Sequence, residues 1–237
     1  MRITVVVPAL NEAVALPTTL RSLFAQTRTA DRVVVVDGGS ADDTVAVARQ
    51  VGAETLVVPG RGRGGQVAAG VAACSEEVIV VAHADMLFPP DALAAVESFL
   101  VRRPDCPGGC LGHRFDRPGW AYRAIEWWDR RRAIRGYGYG DQGQFFRRDV
   151  LEFPDLPIME DVELARRLRR LGRPVYLDRP VTVSARRYER QGWLRVMWDN
   201  WMIRRAYESE GPAAAGRLYE RYYRSRPPRK PAMAGLR

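Results

Sequence analysis

The stretch RVVVVDGGSADDT, residues 32–44, contains in order a strand, a turn and the start of a helix. Residues 33–36 are four consecutive valines, and an unbroken β-branched run is typical of a strand buried on both faces of a parallel sheet. Asp37 ends this run, and two glycines follow it at a turn. Ser40 is a residue type that caps helices, so we expect a helix to begin near Ala41. The stretch therefore predicts one strand–helix unit.

The same alternation recurs through the first hundred residues. Further strands are predicted over residues 3–9, 54–58 and 78–82, and further helices over residues 13–26, 66–74 and 90–101. Strands that alternate with helices at this spacing predict an α/β fold, in which helices flank a doubly wound, mostly parallel sheet.

The pattern is less regular in the second half of the chain. It predicts short strands over residues 111–115 and 175–184, an extended segment over 144–147, and helices over 120–135 and 160–171. The last third is helical. We therefore predict one compact α/β domain over residues 1–185, a helical extension over 186–226 and a disordered basic tail over 227–237.

Charged residues are unevenly distributed. The formal charge of the chain is +9, and residues 186–237 hold 13 Arg/Lys and 5 Asp/Glu, a net charge of +8. Such a segment could meet anionic lipid, nucleic acid or a phosphorylated substrate, or it could be solvated. No apolar run reaches the roughly 18 residues that span a bilayer, and the N-terminal residues lack the pattern of a signal peptide. We therefore expect a cytoplasmic protein.

The three cysteines do not form a disulfide framework in a chain of this length. Cys106, Cys110 and His113 lie close enough in sequence to raise the possibility of a zinc site. The chain has only two histidines, however, and no second cysteine pair that could complete a tetrahedral site. Packing is therefore the preferred interpretation of these residues.

Polar or glycine-rich segments follow four successive strands. They read PALNE at residues 8–12, DGGSADDT at 37–44, GRGRGGQ at 60–66 and HAD at 83–85. Ligands bind at the carboxyl ends of the strands in an open parallel sheet, so these segments predict a shared binding crevice. We expect Asp37 to face that crevice; the alternative is that it only forms the turn.

The glycine segment also fits a dinucleotide-binding fingerprint. Gly60, Gly62 and Gly65 have the required spacing, and Asp85 lies 20 residues further on. A nucleotide-dependent oxidoreductase is therefore an alternative. Against it, the segment follows the third predicted strand rather than the first, and it contains arginines that suit phosphate oxygens directly.

Two acidic segments could support catalysis. His83 and Asp85 are alternate residues after a strand, so both can point into the crevice. A single carboxylate combined with diphosphate oxygens suits Mg²⁺ or Mn²⁺, and a nearby imidazole favours Mn²⁺. Glu160 and Asp161 begin a predicted helix, where acids are also favoured by the helix dipole alone. The alternative to a metal site at residues 83–85 is that Asp85 caps a helix and that His83 has a purely structural role.

Six segments together resemble a known family. They are VVVPALNEA (5–13), VVVDGGSADDT (34–44), HAD (83–85), GDQGQFFRRDV (140–150), MEDVELARRLRRLGRP (159–174) and SARRYERQGWLR (184–195). In this order they are similar to family 2 inverting glycosyltransferases of the GT-A fold. Within that family the chain resembles the small bacterial branch of radical-SAM/selenodomain-associated transferases, and the resemblance extends over residues 3–223.

The resemblance implies a nucleotide-sugar site in the α/β domain, with a UDP-, GDP- or dTDP-linked donor. The residues expected to hold the nucleotide are Pro8, Ala9, Asn11, Glu12, Asp37, Gly39, Gly60, Arg61, Arg63, Gln66, His83 and Ala84. Asp85, the last acid of a DxD-like motif, is expected to bind Mn²⁺ or Mg²⁺. His83 stands where that motif has its first acid.

The resemblance also implies catalytic roles. Asp161 would be the general base that activates the acceptor hydroxyl for a single inverting attack, and Glu160 is the weaker candidate. Asp141 and Gln142 would face the transferred sugar or the acceptor. Arg186 and Arg187 would lie beside the diphosphate or the acceptor.

All six tryptophans fall in two arginine-rich helical segments. The second segment carries an apolar stripe formed by Trp193, Leu194, Met197, Trp198, Trp201 and Met202, and it is flanked by Arg190, Arg195, Arg204 and Arg205. Such a helix could lie at the inner face of a membrane and meet a lipid-linked acceptor. The alternatives are packing on the α/β domain or on a second copy in a homodimer.

A basic nucleic-acid-binding protein would explain the arginines of the C-terminal segment but not the acidic residues at the strand ends. We therefore expect no nucleic-acid partner.

Overall fold

The computed structural model describes residues 1–224. The strands are β1 Ile3–Ala9, β2 Arg32–Asp37, β3 Glu54–Val57, β4 Val78–Val81, β5 Met86–Leu87, β6 Gly108–Cys110, β7 His113–Phe115, β8 Gln144–Arg147, β9 Val175–Tyr176 and β10 Val181–Val183. The helices are α1 Leu16–Phe24, α2 Thr44–Gln50, α3 Gly62–Ala72, α4 Ala92–Arg102, α5 Trp120–Ile134, α6 Glu160–Leu171, α7 Arg186–Gln191, α8 Trp193–Glu210 and α9 Ala215–Arg224. The disordered tail predicted at 227–237 lies outside the described residues.

A seven-stranded sheet forms the centre of the molecule, in the order β3-β2-β1-β4-β8-β6-β9. The first four strands of this order are parallel, and β8 is antiparallel to both of its neighbours. The predicted α/β class and mostly parallel sheet are therefore confirmed. Because β1, β2, β3 and β4 are parallel, the loops that follow them leave the sheet at the same edge.

Alternate residues of the strands bury their side chains in two separate layers. Val5 and Val7 of β1 belong to a core that includes α1 and α4, whereas Val6 points to the opposite face and packs with α3 and α6. A strand covered by helices on both faces has no polar side, and this explains the continuous apolar runs of β1 and β2.

A second, three-stranded sheet in the order β5-β10-β7 was not predicted. The strand expected over residues 111–115 is present but shorter, as β7, because Gly112, with φ +80°, turns the chain from β6 in the large sheet to β7 in the small one. The expected strand over 175–184 is likewise divided, with β9 in the large sheet and β10 in the small one. Short segments that change sheets cannot be separated from one continuous strand by their apolar pattern alone.

The predicted beginning of the second helix also needs correction. Helix α2 begins at Thr44, and Ser40 does not cap it, since the Ser40 hydroxyl instead donates a hydrogen bond to Asp37. Helix α3 begins at Gly62, four residues before the predicted start. Its first turn packs closely against Leu156 and Pro157.

The helical extension packs on the start of α6. Ile158, Val162, Tyr207 and Leu218 form a third apolar cluster, which joins α8 and α9 to the α/β domain. The apolar stripe of α8 is not part of this cluster, and its six side chains remain exposed or partly exposed. The stripe is therefore not buried on the α/β domain, although Trp193 at its start contacts Trp120 of α5. Among residues 1–224, no helix combines the length and apolar character needed to cross a membrane.

Candidate active site

Two neighbouring loops at the carboxyl edge of the sheet are joined by hydrogen bonds. The backbone N–H of Asn11 donates to the Ser40 hydroxyl, and Asn11 Oδ1 accepts from the N–H of Ala41, both at 2.8 Å. Asn11 has φ 54°, a left-handed conformation that asparagine adopts more readily than most residues. The loops after β1 and β2 therefore form one continuous wall of the crevice.

Asp37 lies under this wall and does not face solvent. Its side chain is buried, Oδ1 accepts the N–H groups of Gly39 and Ser40 at 2.9 Å each, and Oδ2 accepts from the Ser40 hydroxyl. The turn-forming role is thus present in the structure, and any contact between Asp37 and a ligand would have to be made through the loop that it organises. Pro8, Ala9 and Ala84 are also buried, so they can present only backbone atoms to a nucleotide.

The glycine-rich segment packs closely against the protein and does not form an open phosphate cradle. A Cβ atom on Gly64 would lie 1.9 Å from the Leu156 carbonyl oxygen, and one on Gly62 would lie 2.6 Å from the Pro157 carbonyl oxygen. Gln66 is buried against Gly38, where a Cβ atom would lie 1.9 Å from its Nε2. Gly60 has open space around it. The spacing that resembles a dinucleotide fingerprint is therefore explained by packing at this position.

The two arginines of this segment contact acids rather than open space. Arg61 forms an ion pair with Asp155, and Arg63 Nε donates to Glu160 Oε1. The expectation that both guanidinium groups are directed at phosphate oxygens therefore needs correction. Arg63 instead links the first turn of α3 to the first turn of α6.

His83 and Asp85 lie beyond the end of β4, in a turn closed by the Met86 N–H and the His83 carbonyl at 3.3 Å. They are therefore not alternate residues of a regular strand. His83 Nδ1 lies 3.3 Å from Asp141 Oδ1, whereas Asp85 Oδ2 lies 3.1 Å from Arg186 Nη2. The turn directs the two side chains to different partners.

Arg186 joins two acids from different strand ends. Its Nη2 lies 3.0 Å from Glu12 Oε2 as well as 3.1 Å from Asp85 Oδ2. The loop after β1, the turn after β4 and the first residue of α7 therefore meet at one guanidinium group. Arg187 does not join them, because its Nη2 donates to Asn200 Oδ1 of α8 at 3.1 Å.

Asp161 lies close to His83 at the start of α6. Its Oδ2 accepts the N–H of Gly140 at 2.8 Å, and its Oδ1 lies 3.8 Å from Arg63 Nη2. A Cβ atom on Gly140 would lie 2.9 Å from the same Asp161 oxygen and 3.2 Å from His83 Cε1. Gly140 therefore permits a close approach that a larger residue would prevent.

Glu160 is buried beside Asp161. One of its carboxylate oxygens accepts from Arg63, and the other has no hydrogen-bond partner within residues 1–224. Burial raises the pKa of Glu160, and the nearby Asp161 adds to this increase, whereas Arg63 opposes it. Glu160 is thus less accessible to an acceptor than Asp161, whose side chain is partly exposed.

Gln142 and Gln144 are buried near Asp161 and Gly140. Gln142 is only 1% exposed and contacts Cys110, so the expectation that it faces the sugar needs correction. Gln144, which the sequence analysis did not identify, donates from Nε2 to the carbonyl oxygens of Gly138 and Asp161 at 2.9 and 3.0 Å. It fixes the start of α6 to the segment before Gly140. A buried glutamine within an apolar strand was the signal that could have identified it.

The described residues contain no group of three acidic, histidine or cysteine side chains arranged to hold a metal ion. The thiol groups of Cys106 and Cys110 donate to the Gly108 carbonyl and to Gln142, and His113 lies 3.8 Å from Asp129. A cation at Asp85 would therefore need most of its ligands from a bound substrate.

Comparison with known families identifies the chain. Residues 4–158 match the model of glycosyl transferase family 2, which is more than half of the chain. The chain belongs to glycosyl transferase family 2. The match covers β1 to the loop before α6 and includes every strand end described above, so family membership favours glycosyl transfer over the oxidoreductase and nucleic-acid-binding alternatives.

The curated relatives of this protein match only part of its sequence. An uncharacterized glycosyltransferase of Mycobacterium tuberculosis is 42% identical over 83 residues, which cover 35% of this chain and 36% of the relative. The match thus spans about a third of that protein's length.

Solved structures are similar to a larger part of the chain. Mannosyltransferase PcManGT from Pyrobaculum calidifontis, in complex with GDP-Man and Mn²⁺, has a TM-score of 0.67 and 22% identity, with 94% of this chain and 69% of that chain covered. TarS 1-349 from S. aureus has a TM-score of 0.62 and 16% identity, with 78% and 61% covered. At these identities the likeness establishes the fold.

Proposed function

We propose that this family 2 protein transfers a sugar from a nucleotide-diphosphate donor to an acceptor hydroxyl with inversion at the anomeric carbon. The observation that carries the proposal is the arrangement of Asp161, whose carboxylate is held by the Gly140 N–H and lies near Arg63. A carboxylate held in a fixed orientation at the edge of a nucleotide-binding sheet suits a general base that accepts the proton of an attacking hydroxyl.

The donor nucleotide is proposed to lie against the joined loops after β1 and β2. Asn11, Glu12 and Gly39 belong to these loops, and Asp37 keeps the second loop in place. Gly60 directly follows Pro59, which lies against Gly39. PcManGT was solved with GDP-Man, and TarS was solved with UDP-GlcNAc, which supports a UDP-, GDP- or dTDP-linked donor here.

The residues near Asp85 fit a divalent cation. Glu12 and Asp85 carry two carboxylates that converge on Arg186, so this point holds more negative than positive side-chain charge. We propose that Asp85, with Glu12 nearby, holds Mn²⁺ or Mg²⁺ together with diphosphate oxygens. When bound, the ion would neutralise charge on the departing diphosphate.

Contact with the diphosphate and deprotonation of the acceptor are assigned to side chains of the protein. We propose that Arg186, which lies beside Asp85, interacts with the diphosphate, and that Asp161 accepts the acceptor's proton. Attack from the face opposite the departing diphosphate forms the new glycosidic bond and inverts the anomeric centre. Asp141, which is exposed beside His83, is proposed to contact the sugar or the acceptor.

We further propose that residues 1–185 form the catalytic domain, that residues 186–226 form the extension, and that the chain belongs to the radical-SAM/selenodomain-associated branch. The motifs named in the sequence analysis support this assignment. The exposed stripe of α8 supports a peripheral contact with the inner face of a membrane, where a lipid-linked acceptor would be available.

The proposal is tested by a hydrolysis and transfer screen over UDP-, GDP- and dTDP-sugars with Mn²⁺ present. We expect one donor class to be hydrolysed slowly by the wild-type protein and not by the Asp161→Asn variant, with both proteins binding that donor equally. If none of the nucleotide sugars binds or is turned over, the proposed function is wrong.

A further inference from the structure

A cavity of about 560 Å³ lies between α5, α6 and α8, apart from the loops that we assign to the donor. Five of the residues that line it are arginines, namely Arg132, Arg166, Arg169, Arg170 and Arg204. Among the described residues that line the cavity, Glu208 is the one acid. The cavity therefore combines the size of a small-molecule site with a strong positive charge.

Most of this charge is not neutralised by the protein. Arg132 pairs with Asp129 at 2.8 Å, and Arg204 Nε lies 3.7 Å from Glu208 Oε1. Within residues 1–224, the other three arginines form no ion pair with a carboxylate. The Arg204 Nε atom is also buried without a hydrogen-bond acceptor in the described part of the chain. A buried donor without an acceptor is costly, and it would gain from an anionic ligand.

Aromatic side chains fix the orientation of several of these guanidinium groups. Arg132 lies over the ring of Tyr139 at 4.2 Å, and Arg169 lies over the ring of Tyr137 at 4.1 Å. Arg132 Nε also donates to the Tyr137 carbonyl oxygen, and Arg169 Nη1 donates to the Arg135 carbonyl oxygen. Stacking on a ring leaves the remaining N–H groups of a guanidinium free to bind a ligand. Arginines that are oriented before a ligand arrives lose less conformational entropy when it binds.

The cavity lies next to the proposed catalytic base. Tyr139 lines the cavity and directly precedes Gly140, whose N–H holds Asp161. Burial raises the pKa of the Tyr139 hydroxyl, and the charges of Glu208 and Asp161 add to the increase while Arg132 and Arg204 oppose it. A ligand in the cavity would therefore be close to the group that we expect to receive the acceptor's proton.

We propose that this cavity binds a phosphate group of the sugar acceptor and thereby brings the acceptor hydroxyl to Asp161. This inference rests on the proposed function, and it adds the chemical class of the acceptor. Guanidinium groups bind phosphate through paired, charge-assisted hydrogen bonds, and phosphate is the anion that several convergent arginines recognise best. The phosphate could belong to a soluble phosphorylated compound or to a phosphorylated lipid.

Calorimetry with inorganic phosphate, at constant ionic strength, tests the site without requiring turnover. The double variant Arg166→Gln/Arg170→Gln removes two charges that pair with no carboxylate in the described residues, and we expect it to weaken phosphate binding by about 10-fold or more. Arg190→Gln/Arg195→Gln removes the same charge from exposed positions that do not line the cavity, and we expect nearly unchanged affinity.

Equal phosphate affinity in the wild type and the Arg166/Arg170 variant would overturn the proposal, as would an equal loss in both double variants. Donor hydrolysis is measured in parallel, so a wild-type protein that turns over a nucleotide sugar but fails the phosphate test refutes only the cavity. If the wild-type protein binds no nucleotide sugar, the proposed function is wrong. The role of the cavity in binding an acceptor phosphate is then wrong as well. Once a donor is known, transfer to a soluble sugar phosphate is compared with transfer to vesicles containing phosphatidylinositol, whose headgroup carries both a phosphate and free hydroxyls, and the comparison distinguishes the two sources of phosphate.

Discussion

At the scale of single residues, Asp161 and Glu160 differ in their surroundings although they are adjacent. Asp161 is partly exposed and accepts a hydrogen bond from the Gly140 backbone. Glu160 is buried, and one of its oxygens has no partner within the described residues. The two carboxylates should therefore respond differently to conversion into amides.

We expect Asp161→Asn to lose sugar transfer by at least about 100-fold, because an amide cannot take the acceptor's proton. Donor binding should remain, since the proposed nucleotide contacts lie on the loops after β1 and β2. Steady-state kinetics combined with calorimetry of the donor nucleotide would measure both effects. Near-parental transfer by this variant would place the base elsewhere, and Asp141 would be tested next.

Glu160 is expected to make stability depend on pH. Because its folded-state pKa is raised, chiefly by burial, the folded protein keeps a proton that the unfolded chain has already released. The free energy of unfolding therefore falls as pH rises from the ordinary pKa of a glutamate to the raised value. This destabilisation is fully present above that window and absent below it.

Glu160→Gln removes this titration, so we expect the variant to be more stable than the wild type at neutral pH. The difference should disappear in acid, where both side chains are uncharged. Denaturant unfolding at several pH values measures it. A variant that is less stable at neutral pH would mean that the ion pair with Arg63 outweighs burial.

Metal dependence is predicted at Asp85. Chelation by EDTA should abolish transfer, and Mn²⁺ or Mg²⁺ should restore it. Asp85→Ala should reduce turnover by several orders of magnitude, since a catalytic ion commonly contributes several kcal/mol of charge stabilisation. Full activity in the presence of the chelator would contradict this prediction.

At the scale of elements, the first turn of α3 packs against the segment that precedes α6. Gly62 and Gly64 make this possible, because a side chain at either position would overlap the backbone of Leu156 or Pro157. Arg63 then reaches Glu160 and Asp161 across the contact. The glycines therefore determine where the proposed base lies relative to the carboxyl edge of the sheet.

We expect Gly64→Ala to destabilise the protein by about 2 kcal/mol or more, since the new methyl group would overlap the Leu156 carbonyl oxygen and backbone must move. Gly216→Ala, also within a helix, is the matched control because no atom lies within 4 Å of its added Cβ. That change should be neutral or stabilising by up to about 1 kcal/mol. Thermal unfolding compares the two, and equal effects would show that the contact is unimportant.

The positions at which the short strands begin and end are also set by contacts between elements. The change of sheet at Gly112 and the division of residues 175–184 between β9 and β10 depend on which neighbours are available for pairing. Similarly, Met159 has φ 66°, an unfavourable conformation for this residue type, directly before α6. No periodicity in the sequence indicates either feature.

At the scale of the whole molecule, the two tryptophan-rich helices meet at one surface. Trp120 of α5 and Trp193 of α8 contact each other edge to face, with ring centroids 5.8 Å apart. Trp120 is 75% exposed, and Trp198, further along α8, is 61% exposed. Arg204 faces the arginine-lined cavity rather than the stripe, so it does not flank this surface as the sequence predicted.

We expect this surface to bind anionic vesicles, and we expect the bound fraction to fall as salt rises, because charge attraction is screened within about 10 Å at 0.1 M salt. Leu194→Ser/Trp198→Ser should reduce co-sedimentation strongly, whereas Val101→Ser, a change at another exposed apolar residue, should not. If the wild type fails to bind even at low salt but elutes as a dimer that the double variant loses, the surface joins two copies of the chain.

The sequence by itself determined the class of fold and the edge of the sheet at which the polar loops lie. Valine runs such as residues 33–36 require a strand buried on both faces, and their alternation with helices requires a parallel sheet with its polar loops at one edge. Tertiary structure decided which polar residues can reach a ligand. Asp37, Gln142 and Arg61 have side chains that suit ligand binding, but the first two are buried and the third is paired with Asp155. Such assignments depend on contacts between residues that are distant in sequence, as when Arg186 meets Glu12 or α3 meets Leu156, and local patterns contain no information on distances of that kind.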